Sequence, residues 1–274
     1  MGKILFFDLD GTLWDRAERI PPRTAEALRR ARENGHSVFV NTGRTRVFAL
    51  RPALREIGLD GMVTGCGTRL ESRAEGDPQM DTADGRARVM YDARLDEGET
   101  EALVTGLEAE GFRVLLESPE YMYADMAAFR DDPYMRIVAE RAGGKLLDLK
   151  ACRGRWRASK MTFDMRLAYD REKALSRLGE KWNLFRHSRD VCELTPPGHD
   201  KAEGMRMTCR FLGASMADTV AFGDGANDVD MLRAAGLGVA MGGGAEEALR
   251  AADLVTAPLG EDGVGLALRR LGLI

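Results

Sequence analysis

The run Asp8-Leu9-Asp10-Gly11-Thr12-Leu13 follows directly on an apolar segment, Lys3 to Phe7, that reads as a short strand. Two carboxylates two residues apart at a strand end can work at one site. The first can act as a nucleophile at phosphorus and the second as a general acid and then base. Gly11 permits a tight turn whose backbone N–H groups can cradle an anion. The competing reading is an ordinary strand-ending turn, where Asp and Gly are both common.

Three further segments bear on that choice. Asn41-Thr42-Gly43-Arg44 follows a second strand, Ser37 to Val40, and offers a hydroxyl and a bare amide that suit a phosphate oxygen. Taken alone it reads better as an ordinary loop in which a threonine hydroxyl caps the next helix. Gly223-Asp224-Gly225-Ala226-Asn227-Asp228 follows the strand Thr219 to Phe222, and Asp224 and Asp228 are spaced to fall near one helix face. Acidic groups on such a turn suit Mg²⁺, which takes one or two carboxylates and keeps several waters. A polar helix cap is the plainer alternative. Lys201 opens a helix after Pro196-Pro197-Gly198, where a cation can lean over a phosphate, although most lysines are simply solvated. In an open parallel sheet ligands bind beyond the carboxyl ends of the strands, and Asp8, Thr42 and Asp224 all stand at such ends. A nucleophilic carboxylate, a cation site, a hydroxyl and a lysine are the parts phosphoryl transfer needs.

Around these motifs the chain alternates short strands and helices, the pattern of a parallel sheet with right-handed crossovers. Helices are expected over Thr24 to Glu33, closed by Gly35, and over Arg46 to Gly58, with a kink or restart at Pro52. Met62-Val63 is a third strand, and Glu71 to Arg86 reads as an exposed loop or hairpin. The middle of the chain has paired strands between helices: helices over Asp96 to Glu110, Asp132 to Ala142 and Ala168 to Glu180, with extended segments at Phe112 to Glu117, Tyr121 to Asp125, Lys160 to Met165, Trp182 to His187 and Val191 to Thr195. That texture predicts an inserted α+β domain. After Pro197 the first pattern returns, with helices over Lys201 to Gly213, Val229 to Ala235 and Ala245 to Ala252 and strands at Val239 to Met241 and Leu254-Val255.

Composition narrows the function classes. Of 274 residues, 44% are hydrophobic and 31% charged, which argues against disorder and against membrane embedding. No apolar run approaches the ~20 residues that span a bilayer, and the N-terminus has no signal-peptide layout, so a cytoplasmic protein without membrane partners is expected. A net charge of −4 with both signs interspersed gives no basic face for nucleic acid. Arg153, Arg155 and Arg157 cluster locally, as a solvated edge or loop would. Cys66, Cys152, Cys192 and Cys209 lack any paired spacing, which speaks against structural zinc and against a disulfide framework.

Taken together, DLDGTL at 8–13, NTGR at 41–44, Lys201 after PPGHD and GDGANDVDML at 223–232 resemble the haloacid dehalogenase (HAD) superfamily. More narrowly they resemble its Cof-like subclass IIB of phosphatases with a C2-type α+β cap, and the tail around 240–264 resembles that group's ending. The resemblance implies an α/β fold: a Rossmann-like parallel-sheet core over 1–92 and 189–274, and an inserted cap domain over 93–188 that closes over the core and sets specificity. It implies Asp8 as nucleophile and Asp10 as acid/base, with Thr42, Gly43, Lys201 and Asn227 holding the phosphoryl group and Arg44 facing cap and substrate. It implies Mg²⁺ held by Asp8, the main-chain carbonyl of Asp10 and Asp224, with Asp228 in or beside that shell. The expected protein is a monomer or weak homodimer that hydrolyses a small phosphorylated metabolite through an aspartyl-phosphate. A phosphotransferase or phosphomutase would use the same core, and a non-catalytic metabolite sensor is the rival from another class. Three departures concern the site's surroundings: Cys66-Gly67-Thr68 stands where the family has Asn-Gly-Ala, Asn41 replaces a small residue, and the 71–86 loop is longer than usual.

Overall fold

A computed structural model describes residues 2–73 and 87–274. In chain order the strands are β1 (Ile4–Phe7), β2 (Ser37–Asn41), β3 (Gly61–Thr64), β4 (Arg69–Ser72), β5 (Arg88–Asp92), β6 (Arg113–Glu117) and β7 (Met122–Ala124). They continue with β8 (Leu146–Asp148), β9 (Lys160–Asp164), β10 (Asn183–Arg186), β11 (Val191–Thr195), β12 (Thr219–Gly223), β13 (Leu237–Ala240) and β14 (Leu254–Val255). The chain divides into two compact units, one of Met1–Gly43, Ala49–Asp92 and Asp200–Ile274, the other of Arg44–Phe48 and Ala93–His199.

The first unit is built on an eight-stranded sheet of order β14-β13-β12-β1-β2-β3-β4-β5. Pairing is parallel from β14 through β3 and antiparallel across β4 and β5. Strand β1 is central, and its four residues are buried on both sides as a parallel strand requires. Leu5 and Phe7 pack with Leu28, Ala31, Val264 and Leu268 on one face, while Ile4 and Phe6 pack with Met205, Met231 and Leu232 on the other. This period of two places a helix layer on each side. The sheet leaves β1 in both directions, to β2 and to β12, so the carboxyl end of β1 is a topological switch point.

Helix ends near that point follow from local chemistry. The helix Lys201–Leu212 begins where the Asp200 side chain accepts a hydrogen bond from the Glu203 backbone at 2.6 Å, and it ends at Gly213 in the left-handed conformation. This cap fixes Lys201 at the first helical position. The helix expected over 46–58 forms as two pieces, Arg46–Ala49 and Pro52–Ile57, with proline restarting it. Residues 71 and 72 close β4, and the remainder of the 71–86 loop, from 74 on, lies outside the described residues.

The second unit carries a six-stranded sheet of order β10-β11-β9-β6-β7-β8, antiparallel except for β7 with β8. One face packs Val114, Leu116, Met161, Phe163 and Leu194 beneath the helices Glu97–Ala109 and Arg171–Gly179. Two boundaries differ from the sequence expectation. Strand β11 pairs with β9 and β10, so the return to the first unit falls at Asp200 rather than at 189. Arg44–Phe48 is counted with the second unit because Val47 and Phe48 pack against Leu115, Met122 and Ala124. Among the described residues, no helix is long and apolar enough to cross a membrane.

The other face of this sheet holds a buried charged group. Lys160 is 1% exposed, with its ammonium 2.7 Å from Glu193 and 3.4 Å from Glu117. Glu117 also accepts from Thr162 at 2.7 Å and from Thr45 at 3.2 Å. Burial alone would raise the Glu193 carboxyl, but Lys160 and His187 outweigh it and hold it down at about 2. Burial raises Glu117 above its usual range despite the lysine. Removing the cation would strand two buried carboxyls, so Lys160→Met is expected to lower the unfolding free energy by about 3 kcal/mol, read from urea denaturation. A loss within experimental error would mean that the cluster is relaxed by water.

Candidate active site

The carboxyl end of β1 delivers Asp8 into a nearly closed setting, 6% exposed. The Lys201 ammonium, itself 2% exposed, donates to Asp8 Oδ1 and to Asp228 Oδ1, each at 2.6 Å. Asp228 is wholly buried, and its second oxygen accepts from the backbone N–H groups of Asp224 at 3.0 Å and Gly225 at 2.9 Å. That carboxylate therefore folds its own turn and orients the lysine at the same time. Asp224 accepts from the Thr12 hydroxyl at 2.9 Å, tying the turn after β12 to the turn after β1.

Three carboxylates against one ammonium leave two negative charges uncompensated, and this excess adds to the effect of burial. Burial raises Asp8 to about 7, with Asp228 and Asp10 adding to the rise against the pull of Lys201. Burial likewise raises Asp224 to about 6, opposed by the Thr12 hydrogen bond. Lys201 would be lowered by burial, but Asp228 and Asp8 more than reverse this and keep it protonated. One oxygen from each of Asp8, Asp224 and Asp228 lies within 4.8 Å of the others, a spacing that can hold a metal ion. The donors are all oxygen, the choice of a hard divalent cation, and such a cation would cancel the charge deficit.

The remaining expected residues fall as follows. Thr42 directly follows β2, is 1% exposed, and is held by its backbone: its N–H donates to Val63 O at 2.9 Å and its carbonyl accepts from Cys66 N–H at 3.1 Å. Gly43 follows it in the first unit. The Asn227 side-chain oxygen lies over Gly225, close enough that a Cβ there would meet it at 2.6 Å. Arg44 belongs to the second unit, where its guanidinium lies 4.7 Å over the Phe48 ring. The Asp10 side chain is exposed and turns to the Trp14 indole, which donates to it at 3.1 Å. It is not one of the three clustered carboxylates.

Sequence reasoning missed four supports: Thr12 on Asp224, Trp14 on Asp10, the anchoring of Lys201 by Asp228, and Asn41. The buried Asn41 amide donates to the Lys201 carbonyl at 2.8 Å, clamping the start of the lysine's helix to the end of β2. Its only sequence signal was that a polar residue stood where a small one was expected.

These features coincide with a family. The sequence profile of the haloacid dehalogenase-like hydrolases matches residues 5–268, and the chain belongs to that family. It is an enzyme of the phosphatase type. It is 30% identical over 273 residues to "Putative phosphatase YkrA" of Bacillus subtilis (strain 168), covering 99% of this chain and 98% of the relative. It is 27% identical over 248 residues to the HMP-PP phosphatase of Cronobacter sakazakii (strain ATCC BAA-894), covering 88% of this chain and 85% of the relative. Among solved structures, a hypothetical protein of Geobacillus kaustophilus HTA426 superposes with a TM-score of 0.80 at 30% identity, with 100% of both chains covered. The HAD subclass IIB sugar phosphatase BT4131 superposes with a TM-score of 0.78 at 27% identity, over 99% of this chain and 100% of that one.

Gly11 has φ +77°, and a Cβ there would lie 2.3 Å from Asp224 Oδ2. Gly11→Ala therefore strains the turn and pushes Asp224 aside together. Calorimetric titration with Mg²⁺ is expected to give at least a roughly tenfold weaker affinity, comparable to losing a ligand's supporting contact. Unchanged affinity would place the cation away from Asp224.

Proposed function

We propose that the chain is a Mg²⁺-dependent phosphatase that hydrolyses a small phosphorylated metabolite through an aspartyl-phosphate on Asp8. The observation that carries this reading is the buried convergence of Asp8, Lys201, Asp224 and Asp228 at the switch point of the first unit's sheet. Asp8 would attack phosphorus, forming an acyl–phosphate bond as the bond from phosphorus to the ester oxygen breaks. Asp10 would give its proton to that oxygen, so that an alcohol leaves. Water would then attack phosphorus, lose a proton to Asp10 and break the acyl–phosphate bond, returning the Asp8 carboxylate and inorganic phosphate.

Lys201 suits the role of holding Asp8 in line and neutralising a phosphoryl oxygen, with Thr42, Gly43 and Asn227 supplying hydrogen bonds to the others. Asp8, the Asp10 carbonyl and Asp224 would hold the cation, with Asp228 beside them. Its carboxylate is already engaged by Lys201 and two amides, which favours an outer position for it. The cation would draw charge from the phosphoryl oxygens and so let an anionic nucleophile approach an anionic substrate. One relative is named for HMP-PP and one solved neighbour for sugar phosphates. What those two share, a small phosphorylated organic molecule, is the substrate class proposed for this chain. The cytoplasm is the proposed compartment.

Phosphate release from a panel of small phosphomonoesters is expected to require Mg²⁺. Exhaustive chelation should abolish it, and the same cation should raise the thermal midpoint of the protein in the absence of substrate. Full turnover by a chelated, dialysed preparation would overturn the metal assignment, and silence across the panel with Mg²⁺ present would overturn the phosphomonoesterase reading.

A further inference from the structure

The acid/base assignment puts a demanding task on an exposed side chain. Asp10 sits on a turn open to solvent, where a carboxylate ordinarily samples several rotamers. Proton transfer to a leaving oxygen needs it in one of them for most of the time. The turn around it is closed by its own backbone: Leu9 O accepts from Leu13 N at 2.9 Å and from Trp14 N at 3.0 Å, and Gly11 N donates to Trp14 O at 3.1 Å. A bridge of strand type joins Asp10 to Trp14. The result carries the Trp14 ring, fully buried, into the hydrophobic core beside Leu9 and Leu13, with its indole N–H 3.1 Å from Asp10 Oδ1.

We propose that Trp14 is a positioning residue for Asp10, its core-locked indole N–H holding one carboxylate oxygen so that the other is presented to the leaving group and later to water. This proposal rests on the reading of Asp10 as the acid/base. A ring fixed on every side by core packing cannot follow the carboxylate, so the carboxylate must follow the ring. The hydrogen bond survives both protonation states, because it uses an oxygen that can accept whether the carboxyl is charged or neutral. The plainer account is that Asp10 merely satisfies a buried indole donor, as buried tryptophans usually require. The two accounts differ in kinetics. A stability role lowers all turnover alike, whereas a positioning role is felt in proportion to the need for protonation.

The test measures kcat/KM across phosphomonoesters of graded leaving-group pKa for the wild type, Trp14→Phe, Asp10→Asn and the double variant. Trp14→Phe is expected to lose about tenfold with alkyl leaving groups and under about threefold with a good aryl leaving group, the scale of one lost hydrogen bond and less than the roughly hundredfold or more that general acid assistance itself is worth. In the Asp10→Asn background it should cost nothing further, since the group it positions is gone. If Trp14→Phe does not fold, benzothienylalanine at position 14 keeps the fused ring without the N–H and gives the same comparison. An equal loss for every leaving group, or losses that add in the double variant, would overturn the positioning role while leaving Asp10 as the acid. A flat leaving-group dependence in Asp10→Asn would instead remove Asp10 from the acid role, and the proposal with it.

Discussion

The Lys201 ammonium, buried and 2.6 Å from both Asp8 and Asp228, is the contact around which the first unit's site is arranged. A buried lysine is tolerated only when paired and hydrogen-bonded, and two carboxylates meet that condition. To bring them together the chain must join the end of β1, the first turn of the helix Lys201–Leu212 and the turn after β12, three segments far apart in sequence. Asp200 caps the lysine's helix, Asn41 ties its first carbonyl to β2, and two amides hold Asp228. Each of these supports has the lysine's placement as its consequence. The same arrangement leaves an excess of negative charge that adds to the effect of burial in raising Asp8 and Asp224, and its all-oxygen donor set suits a hard divalent cation.

Much of this was legible in the sequence because it is local. Strand β1 is a short apolar run ending at an Asp-x-Asp-Gly turn, and periodicity with helix caps placed most elements of the first unit to within a few residues. Asp8, Asp224, Asp228 and Lys201 stood out since each is chemically awkward in its setting and each sits at the end of an element. What stayed hidden depends on partners distant in the chain. Val191–Thr195 reads as a strand either way, but only its pairing with β9 and β10 assigns it to the second sheet. The helix Gly263–Arg270 carries Val264, Ala267 and Leu268 at helical spacing, with Leu271 at its C-terminal cap, and that signal was available. Trp14 reads as core, which it is, and nothing local reveals that its N–H points at Asp10.

The second unit departs from the apolar norm in a comparable way. Lys160, Glu117, Glu193 and His187 form a charged group on one sheet face, where alternation puts Leu115, Glu117, Lys160, Thr162 and Glu193 on the same side. Such a group is costly to bury and adds little net stability over an apolar one, so its value lies in fixing strand register and the Thr45 contact. Both units thus use the same device, a lysine between two carboxylates.

The central claim, that Asp8 forms a covalent bond to phosphorus, is tested most directly by the stereochemistry of the reaction. A phosphomonoester made chiral at phosphorus with oxygen isotopes would be hydrolysed in isotopically defined water and the configuration of the released phosphate determined. Two successive in-line displacements, first by Asp8 and then by water, predict overall retention at phosphorus. Inversion would mean a single direct attack by water, and would contradict the account.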